Sequence, residues 1–189
     1  MPRVAGQAGQ GAENRRRAEL ERRQALAFAV DQAWRTLENI DRSIDRADAK
    51  AAAALTAAGA IGVALFALAG HGRLSAWAIG ALALGIALTF TAAVQAGLTL
   101  WPRRNRDGAP TTLVYHDDIA RLPDPTVEGY VARASALFAD PAAMSRELTS
   151  QIWATGRVAA AKYVWINRSV LSLVGALLAT GLTALLVNT

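Results

Sequence analysis

Two clusters of charged and polar side chains each lie directly before a long segment that has no ionisable residue. The first contains Asp41, Arg42, Asp45, Arg46, Asp48 and Lys50, and the second contains Gln151, Arg157, Lys162, Tyr163, Asn167 and Arg168. Ionisable groups are costly where water becomes scarce, so they are expected to pair with one another. We predict that Asp48 and Lys50 contact a cation of the second cluster across two helices, forming a two-state latch or a small anion site. That cation is Lys162 or Arg157, and the alternative is ion pairing within each helix.

Residue types that carry catalysis or bind metals are scarce in this chain. It has no cysteine and two histidines, which are too few ligands for a typical zinc or iron centre. His116 precedes Asp117 and Asp118, where a capping or turn role is expected rather than a metal site. The sequence contains no glycine-rich phosphate loop and no Gly-x-Ser-x-Gly motif. We therefore expect neither enzyme activity nor a cofactor.

Three segments without a charged side chain must position these clusters. They are residues 51–70, 74–102 and 169–189, and a helix of about 20 apolar residues crosses the hydrocarbon core of a bilayer. The chain is 53% hydrophobic and 19% charged, whereas the helices of a soluble bundle would keep charge on one face. We predict an all-α integral membrane protein with three transmembrane helices.

These apolar segments are built from Ala, Gly, Leu, Thr and Ser more than from large side chains, as in residues 57–62 and 80–85. Small residues let helix backbones approach closely, and lipid offers no hydrophobic drive for association. The membrane part is therefore predicted to assemble, which makes the protein a homo-oligomer. A chain-wide preference for Ala and Gly is the alternative explanation.

Basic residues indicate how the chain is oriented. Ten Lys or Arg precede residue 51, nine lie in residues 103–168, and one lies in the connection between the first two apolar segments. The positive-inside rule places both basic regions in the cytoplasm, so we predict a multi-pass protein with a cytoplasmic N-terminus. The net charge of +5 is then a topology signal, and we expect membrane lipid rather than nucleic acid as a partner.

The sequence divides into five predicted parts. Residues 1–12 are rich in Gly and Gln and are predicted to be disordered, and residues 13–50 are predicted to form an amphipathic cytoplasmic helix. This helix continues into a transmembrane hairpin at residues 51–102. Residues 103–168 are predicted to hold a cytoplasmic insert and a helix that leads into the third span at residues 169–189. The first and last spans would then extend as long cytoplasmic helices in a bundle.

Apolar residues of the first helix follow the four-three spacing of a coiled-coil seam. They are Leu26, Val30, Ala33, Leu37, Ile40, Ile44, Ala47 and Ala51. Asp124-Pro125 and Asp140-Pro141 each have the form of an N-cap followed by proline, so helices are predicted near residues 126–139 and from residue 142 onward. Residues 113–120 are expected to form a short ordered element of undefined type.

Five short motifs, in order along residues 41–187, resemble one family. They are Ala47-Asp48-Ala49-Lys50-Ala51-Ala52, Tyr115-His116-Asp117-Asp118-Ile119-Ala120, Glu128-Gly129-Tyr130, Gln151-Ile152 and Lys162-Tyr163-Val164-Trp165-Ile166. Together with three spans, this pattern resembles the transmembrane Pycsar effectors, which are small bacterial membrane proteins of anti-phage defence. The chain departs from that pattern in its longer, Arg-rich N-terminal arm at residues 13–35.

The resemblance implies a function that composition does not indicate. Such effectors are paired with a pyrimidine cyclase that makes cyclic CMP or cyclic UMP during phage infection. The effector responds by impairing the bacterial inner membrane, which kills the cell before phage mature. A cyclic pyrimidine mononucleotide is therefore the expected ligand, sensed on the cytoplasmic side of the inner membrane.

A bound cyclic nucleotide would need a cation or free backbone N–H groups for its phosphate and an aromatic ring for its base. Tyr115, Tyr130 and Tyr163 are the candidate rings. The predicted ligand-binding or latch residues are Asp48, Lys50, Asp118, Gln151, Lys162 and Tyr163. The alternative functions are a constitutive membrane scaffold and a small regulated pore, both without a nucleotide ligand.

Overall fold

The computed structural model describes residues 3–70, 74–101, 113, 119 and 126–187, with side chains from residue 13 onward. In this part of the chain every regular element is an α-helix. The helices are α1 (Arg3–Ala69), α2 (Ala76–Leu100), α3 (Val127–Ala139) and α4 (Pro141–Val187). Helices α1, α2 and α4 are each long and apolar enough to cross a membrane, which confirms the predicted all-α fold with three spans.

Helix α1 is longer than the sequence predicts. It begins at Arg3, so it includes residues for which the Gly and Gln content predicts disorder. Propagating an existing helix adds one hydrogen bond for each residue that is fixed, whereas only the first turn carries the cost of nucleation. The helix has 67 residues and continues without a proline through its apolar part to Ala69, as predicted for the first span.

The chain forms two compact units. The first, here called the head unit, contains Met1–Ile40 and Asn105–Thr155. The second, here called the membrane unit, contains Asp41–Arg104 and Gly156–Thr189. All three charge-free segments belong to the membrane unit.

The core of the head unit is built on the predicted coiled-coil seam of α1. Leu37 is buried with Met144 and Leu148 of α4. The residues that pack against this core are Val30, Ala33, Leu137 and Ile152. In the head unit the seam therefore joins α1 to another helix of the same chain. Residues 13–29 are exposed except for the half-buried Leu26.

Local sequence signals set the ends of α3 and α4. The Thr126 hydroxyl accepts a hydrogen bond from the Gly129 N–H, so the N-cap of α3 is Thr126 and not the predicted Asp124, which lies outside the described residues. A threonine oxygen satisfies the free N–H groups of a first turn in the same way as a carboxylate. Helix α4 begins at Pro141, and Asp140 Oδ1 accepts from the Ala142 N–H at 2.9 Å, as predicted.

Small residues bring the three helices of the membrane unit together. Its core contains Ala51, Ala54, Ala58, Ile61 and Leu65 of α1, Leu82, Ala92 and Ala96 of α2, and Ile166, Leu173 and Ala176 of α4. Two hydrogen bonds join α2 to α4: Ser169 Oγ donates to the Ala92 carbonyl at 2.8 Å, and Ser172 Oγ lies 3.3 Å from Gln95 Oε1. Such bonds each stabilise helix association by about 0.6–2 kcal/mol in a bilayer.

Gly85 of α2 lies against side chains of both α1 and α4. A Cβ atom added there would lie 2.9 Å from Leu65 Cδ2 and 3.5 Å from Ala179 Cβ. Gly80, on the same helix, has no heavy atom within 4 Å of the corresponding position. A side chain at position 85 therefore requires the buried Leu65 to move, whereas position 80 is open.

We expect Gly85→Leu to lower the free energy of unfolding in detergent by about 1–3 kcal/mol, because the new side chain overpacks a filled contact. The matched variant Gly80→Leu is expected to unfold at or above the wild-type denaturant concentration, because leucine favours helix more than glycine does. Denaturant titration followed by circular dichroism measures both. Equal free energies of unfolding for the two variants would contradict this packing.

Candidate functional site

Asp48 of α1 and Lys162 of α4 form an ion pair within the membrane unit. Lys162 Nζ lies 2.6 Å from both Oδ1 and Oδ2 of Asp48. The side chain of Lys162 is 9% exposed and that of Asp48 is 34% exposed. The ammonium group is thus almost removed from water and is held by both oxygens of one carboxylate.

Fully buried neighbours explain why these two residues meet. Ala47 and Ala51 lie on either side of Asp48 in the sequence, and both have no exposed surface. One turn after Lys162, Ile166 is buried in the core of the membrane unit. Because alanine side chains are short, α1 and α4 can approach closely enough for the carboxylate to reach the ammonium.

The free energy of this ion pair depends on how far its side chains are buried. Charge-assisted hydrogen bonds are about twice as strong as neutral ones, and removing one partner of a buried pair costs about 3–5 kcal/mol. The partial exposure of Asp48 reduces that cost, since water can solvate part of its charge. The pair joins α1 to α4 at the polar end of the apolar segments.

The other predicted site residues lie in several environments. Lys50 is exposed on α1 and makes no ion pair within the described residues, so only Asp48 of the two makes the predicted contact. Tyr163 is half-buried and packs against the core of the membrane unit. Gln151 is buried in the head unit, where its Nε2 lies 3.3 Å from Thr155 Oγ1. Asp118 lies outside the described residues.

Glu147 makes a polar contact that no sequence motif indicates. Its Oε1 accepts a hydrogen bond from the Leu113 N–H at 2.6 Å, and the Tyr130 hydroxyl donates to the Leu113 carbonyl at 3.4 Å. Both backbone groups of Leu113 are therefore bound within the head unit. The one sequence feature that could indicate this contact is a single carboxylate, Glu147, between Met144 and Leu148, which are both buried. Tyr130, a candidate for base stacking, uses its hydroxyl in this contact.

The family model of the Pycsar effector protein domain matches residues 32–187. The chain belongs to this family. The Pycsar effector protein PtPycTM of Propioniciclava tarda is 29% identical over 149 residues, which cover 76% of this chain and 72% of the relative. No solved structure matches. The predicted resemblance is thereby confirmed, and the family together with the three apolar helices makes this a multi-pass membrane protein of antiviral defence.

In this Pycsar effector the matched region begins at residue 32 and includes both partners of the Asp48–Lys162 pair. Residues 13–31 of the Arg-rich arm precede it. Among the described residues, no group of three His, Cys, Asp or Glu side chains is arranged to hold a metal ion.

A second electrostatic feature of the effector involves two carboxylates of α1. Asp45 lies about one turn before Asp48, and Asp41 lies about two turns before it. Burial raises the pKa of the Asp41 carboxyl above its usual 3.8, and the charge of Asp45 raises it further. A raised pKa means that the folded protein binds this proton more tightly than the unfolded chain does. The ionised carboxylate therefore opposes folding at neutral pH.

We expect Lys162→Met to lower the unfolding free energy of the effector by about 2–4 kcal/mol, because Asp48 keeps a poorly solvated charge. Replacing both partners, as in Asp48→Asn with Lys162→Met, should cost less, since no charge is left without a partner. Lys50→Met removes an exposed cation nearby and should change stability by less than about 0.5 kcal/mol. Denaturant titration in micelles checks all three, and a larger loss for the double variant than for Lys162→Met would contradict the pairing.

Asp41→Asn is expected to raise the melting temperature at pH 7, because it removes a carboxylate whose charge opposes folding. The gain should shrink as the pH falls through the raised pKa and disappear below about 3.8, where the wild-type carboxyl is neutral as well. Asp31→Asn is the control, since it deletes a surface ion pair with Arg35 and should slightly lower the melting temperature at pH 7. Thermal scans from pH 3 to 8 measure this, and a gain for Asp41→Asn that is independent of pH would refute the burial effect.

Proposed function

We propose that this protein is a non-catalytic membrane effector that responds to cyclic CMP or cyclic UMP by impairing the bacterial inner membrane. Family membership supports an anti-phage role and a cyclic pyrimidine nucleotide signal. The excess of basic residues before the first span and in residues 103–168 supports a cytoplasmic N-terminus. In this orientation the polar end of the membrane unit meets nucleotides in the cytoplasm.

The Asp48–Lys162 pair is the observation that carries the mechanism. A cyclic nucleotide has one negative charge on its phosphate, which is the same charge that Asp48 supplies to Lys162. We infer that the phosphate competes with Asp48 for the ammonium group and so releases α1 from α4. The pair acts in this proposal as a latch that is closed without ligand.

The free energies involved allow a phosphate to replace Asp48 at Lys162. Moving a two-state equilibrium from 1:99 to 99:1 needs about 5.5 kcal/mol of differential binding. Removing one partner of a buried pair costs about 3–5 kcal/mol. The phosphate keeps the buried Lys162 neutralised, and the displaced Asp48 is already 34% exposed, so water solvates its charge. The ligand shifts the equilibrium only through contacts that differ between the two states, and the latch residues provide such contacts.

Nearby residues of the membrane unit supply further contacts in the proposal. Lys50 is exposed and available to the phosphate, and the half-buried ring of Tyr163 is available to the base. The proposed contacts of Gln151 and Asp118 remain predictions from the sequence. Release of α1 would change the packing of three spans in each subunit of a homo-oligomer, and this change would breach the bilayer.

The test is ligand-dependent dye entry in cells that express the full chain together with a pyrimidine cyclase. Wild type should stop growth and admit propidium iodide when cyclic CMP or cyclic UMP is made, and not when cyclic AMP is made. Lys162→Met should admit dye without nucleotide, because it also breaks the latch, and cyclic CMP or cyclic UMP should add no further response, because the phosphate has lost its cation. Asp48→Asn should admit dye without nucleotide, because the latch is open.

Arg133→Met is the matched control, since it removes an exposed cation of α3 in the head unit and should respond as wild type does. All variants are compared at equal protein level in the membrane fraction. Absence of dye entry at every level of cyclic CMP or cyclic UMP would refute the proposal. A nucleotide-dependent response that Lys162→Met retains would refute the latch.

A constitutive scaffold is the second candidate function, favoured by the exposure of residues 13–29 and by their position before the region shared with the family. It predicts that deleting residues 1–25 abolishes capture of a partner protein while nucleotides change nothing. This deletion leaves Val30 and Ala33 in the head-unit core. Under the effector proposal the same deletion retains the nucleotide response.

A further inference from the structure

Arg168 of α4 is an exposed cation on a face of the helix that is otherwise apolar. Val164 lies four residues before it and is 48% exposed, and Leu171 lies three residues after it and is 73% exposed. Residues three or four positions apart share one face of a helix. Arg168 therefore points away from the core of the membrane unit, on the side of α4 that faces lipid.

The backbone of Arg168 lies within the apolar part of the membrane unit. A helix rises 1.5 Å per residue, so the Cα atom of Arg168 lies about 9 Å beyond that of the buried Lys162 along α4. The next residue, Ser169, donates a hydrogen bond to the Ala92 carbonyl of α2, which is well inside the charge-free segment 74–102. A charged group at this depth is costly unless it reaches water or an anion.

The side chain of Arg168 runs back toward the polar end of α4. Its guanidinium carbon lies 5.5 Å from the centre of the Trp165 ring, and Trp165 is one turn closer to that end. Long basic side chains reach the headgroup layer from an apolar position in this way. A tryptophan ring attracts a cation over its face and prefers the headgroup layer. The ring thus holds the guanidinium on the side of the headgroups.

Arg168 does not have the kind of counter-ion that neutralises Lys162. Lys162 is paired with Asp48, whereas in the described part of the chain Arg168 contacts the Trp165 ring and no carboxylate. The three charge-free segments surround it at this depth and contain no acidic residue. A guanidinium presents a planar fork of N–H donors that fits two oxygens of a phosphate. On a face that is turned to lipid, a phospholipid phosphate is the anion within reach.

We propose that Arg168 and Trp165 bind a phosphodiester anion, and that a phospholipid headgroup at the polar end of the membrane unit supplies it. This site is separate from the proposed nucleotide latch, because Arg168 is exposed to lipid whereas Lys162 is buried. A cyclic nucleotide carries the same anionic group but has no acyl chains to lie along the apolar face of α4. The bound phosphate sets the depth of α4 in the bilayer.

Native mass spectrometry of the full chain, released from micelles that contain dioleoylphosphatidylglycerol, tests this site. Wild type should bind this lipid with a dissociation constant about tenfold lower than that of Arg168→Met, because the variant has no charged donor for the phosphate. Trp165→Leu should weaken binding by a smaller factor, since the cation remains. Arg133→Met removes an exposed cation of α3 and should bind as wild type does. Equal binding by wild type and Arg168→Met, at equal helix content by circular dichroism, would overturn the proposal.

Two further probes identify the group that is bound and its source. Dioleoylglycerol has the same acyl chains without a phosphate and should bind equally weakly to wild type and to Arg168→Met. A preference of wild type for dioleoylglycerol over the variant would overturn the phosphate site. Millimolar cyclic CMP should leave the bound phosphatidylglycerol in place, and its displacement from wild type would overturn the lipid as the source. Membrane damage is not measured here, so this site and the nucleotide response can each fail while the other holds.

Discussion

A lysine that enters the low-dielectric edge of a membrane must be neutralised, and in this protein Asp48 meets that requirement for Lys162. The contact is short, involves both carboxylate oxygens, and connects the first and last helices of the membrane unit. A hydrophobic pair at the same place could stabilise the fold equally well. The charged pair differs from such a contact because an anion can compete for Lys162, which is the basis of the proposed latch.

Two kinds of contact hold the membrane unit, and they are distributed unequally. Helices α2 and α4 are joined by hydrogen bonds from Ser169 and Ser172. In contrast, the apolar part of α1 has Thr56 as its one polar side chain, and that hydroxyl donates to Ala52 within α1. Among the contacts described for α1 after Asp48, those with α2 and α4 are apolar.

Much of this architecture could be predicted from the sequence because the bilayer imposes simple rules. Three segments without charge become three membrane-spanning helices, since no buried charge is tolerated without a partner. The same rule drew attention to Asp48 and Lys162. The four-three spacing of Val30, Ala33 and Leu37 correctly predicted a helical seam, but periodicity alone does not identify the partner. The structure shows that in the head unit this partner is α4 of the same chain.

Other features depend on contacts between distant residues and had no local signal. The bond from Leu113 to Glu147 spans 34 positions, and a single carboxylate on a helix has many alternative uses. The cap of α3 shows a smaller effect, because Thr126 and Asp124 are both good capping residues and the proline after Asp124 favoured the wrong one.

The exposed first part of α1 has a consequence for local stability. From residue 13 to residue 29 the helix has almost no tertiary contact, and isolated helices of this length are marginal in water. Its backbone hydrogen bonds depend on propagation from the packed turn that begins at Val30. The free energy needed to open these hydrogen bonds therefore decreases with each turn away from Val30. The stability of the helix falls gradually toward residue 13. Any partner that binds the arm stabilises the helix progressively from that junction outward.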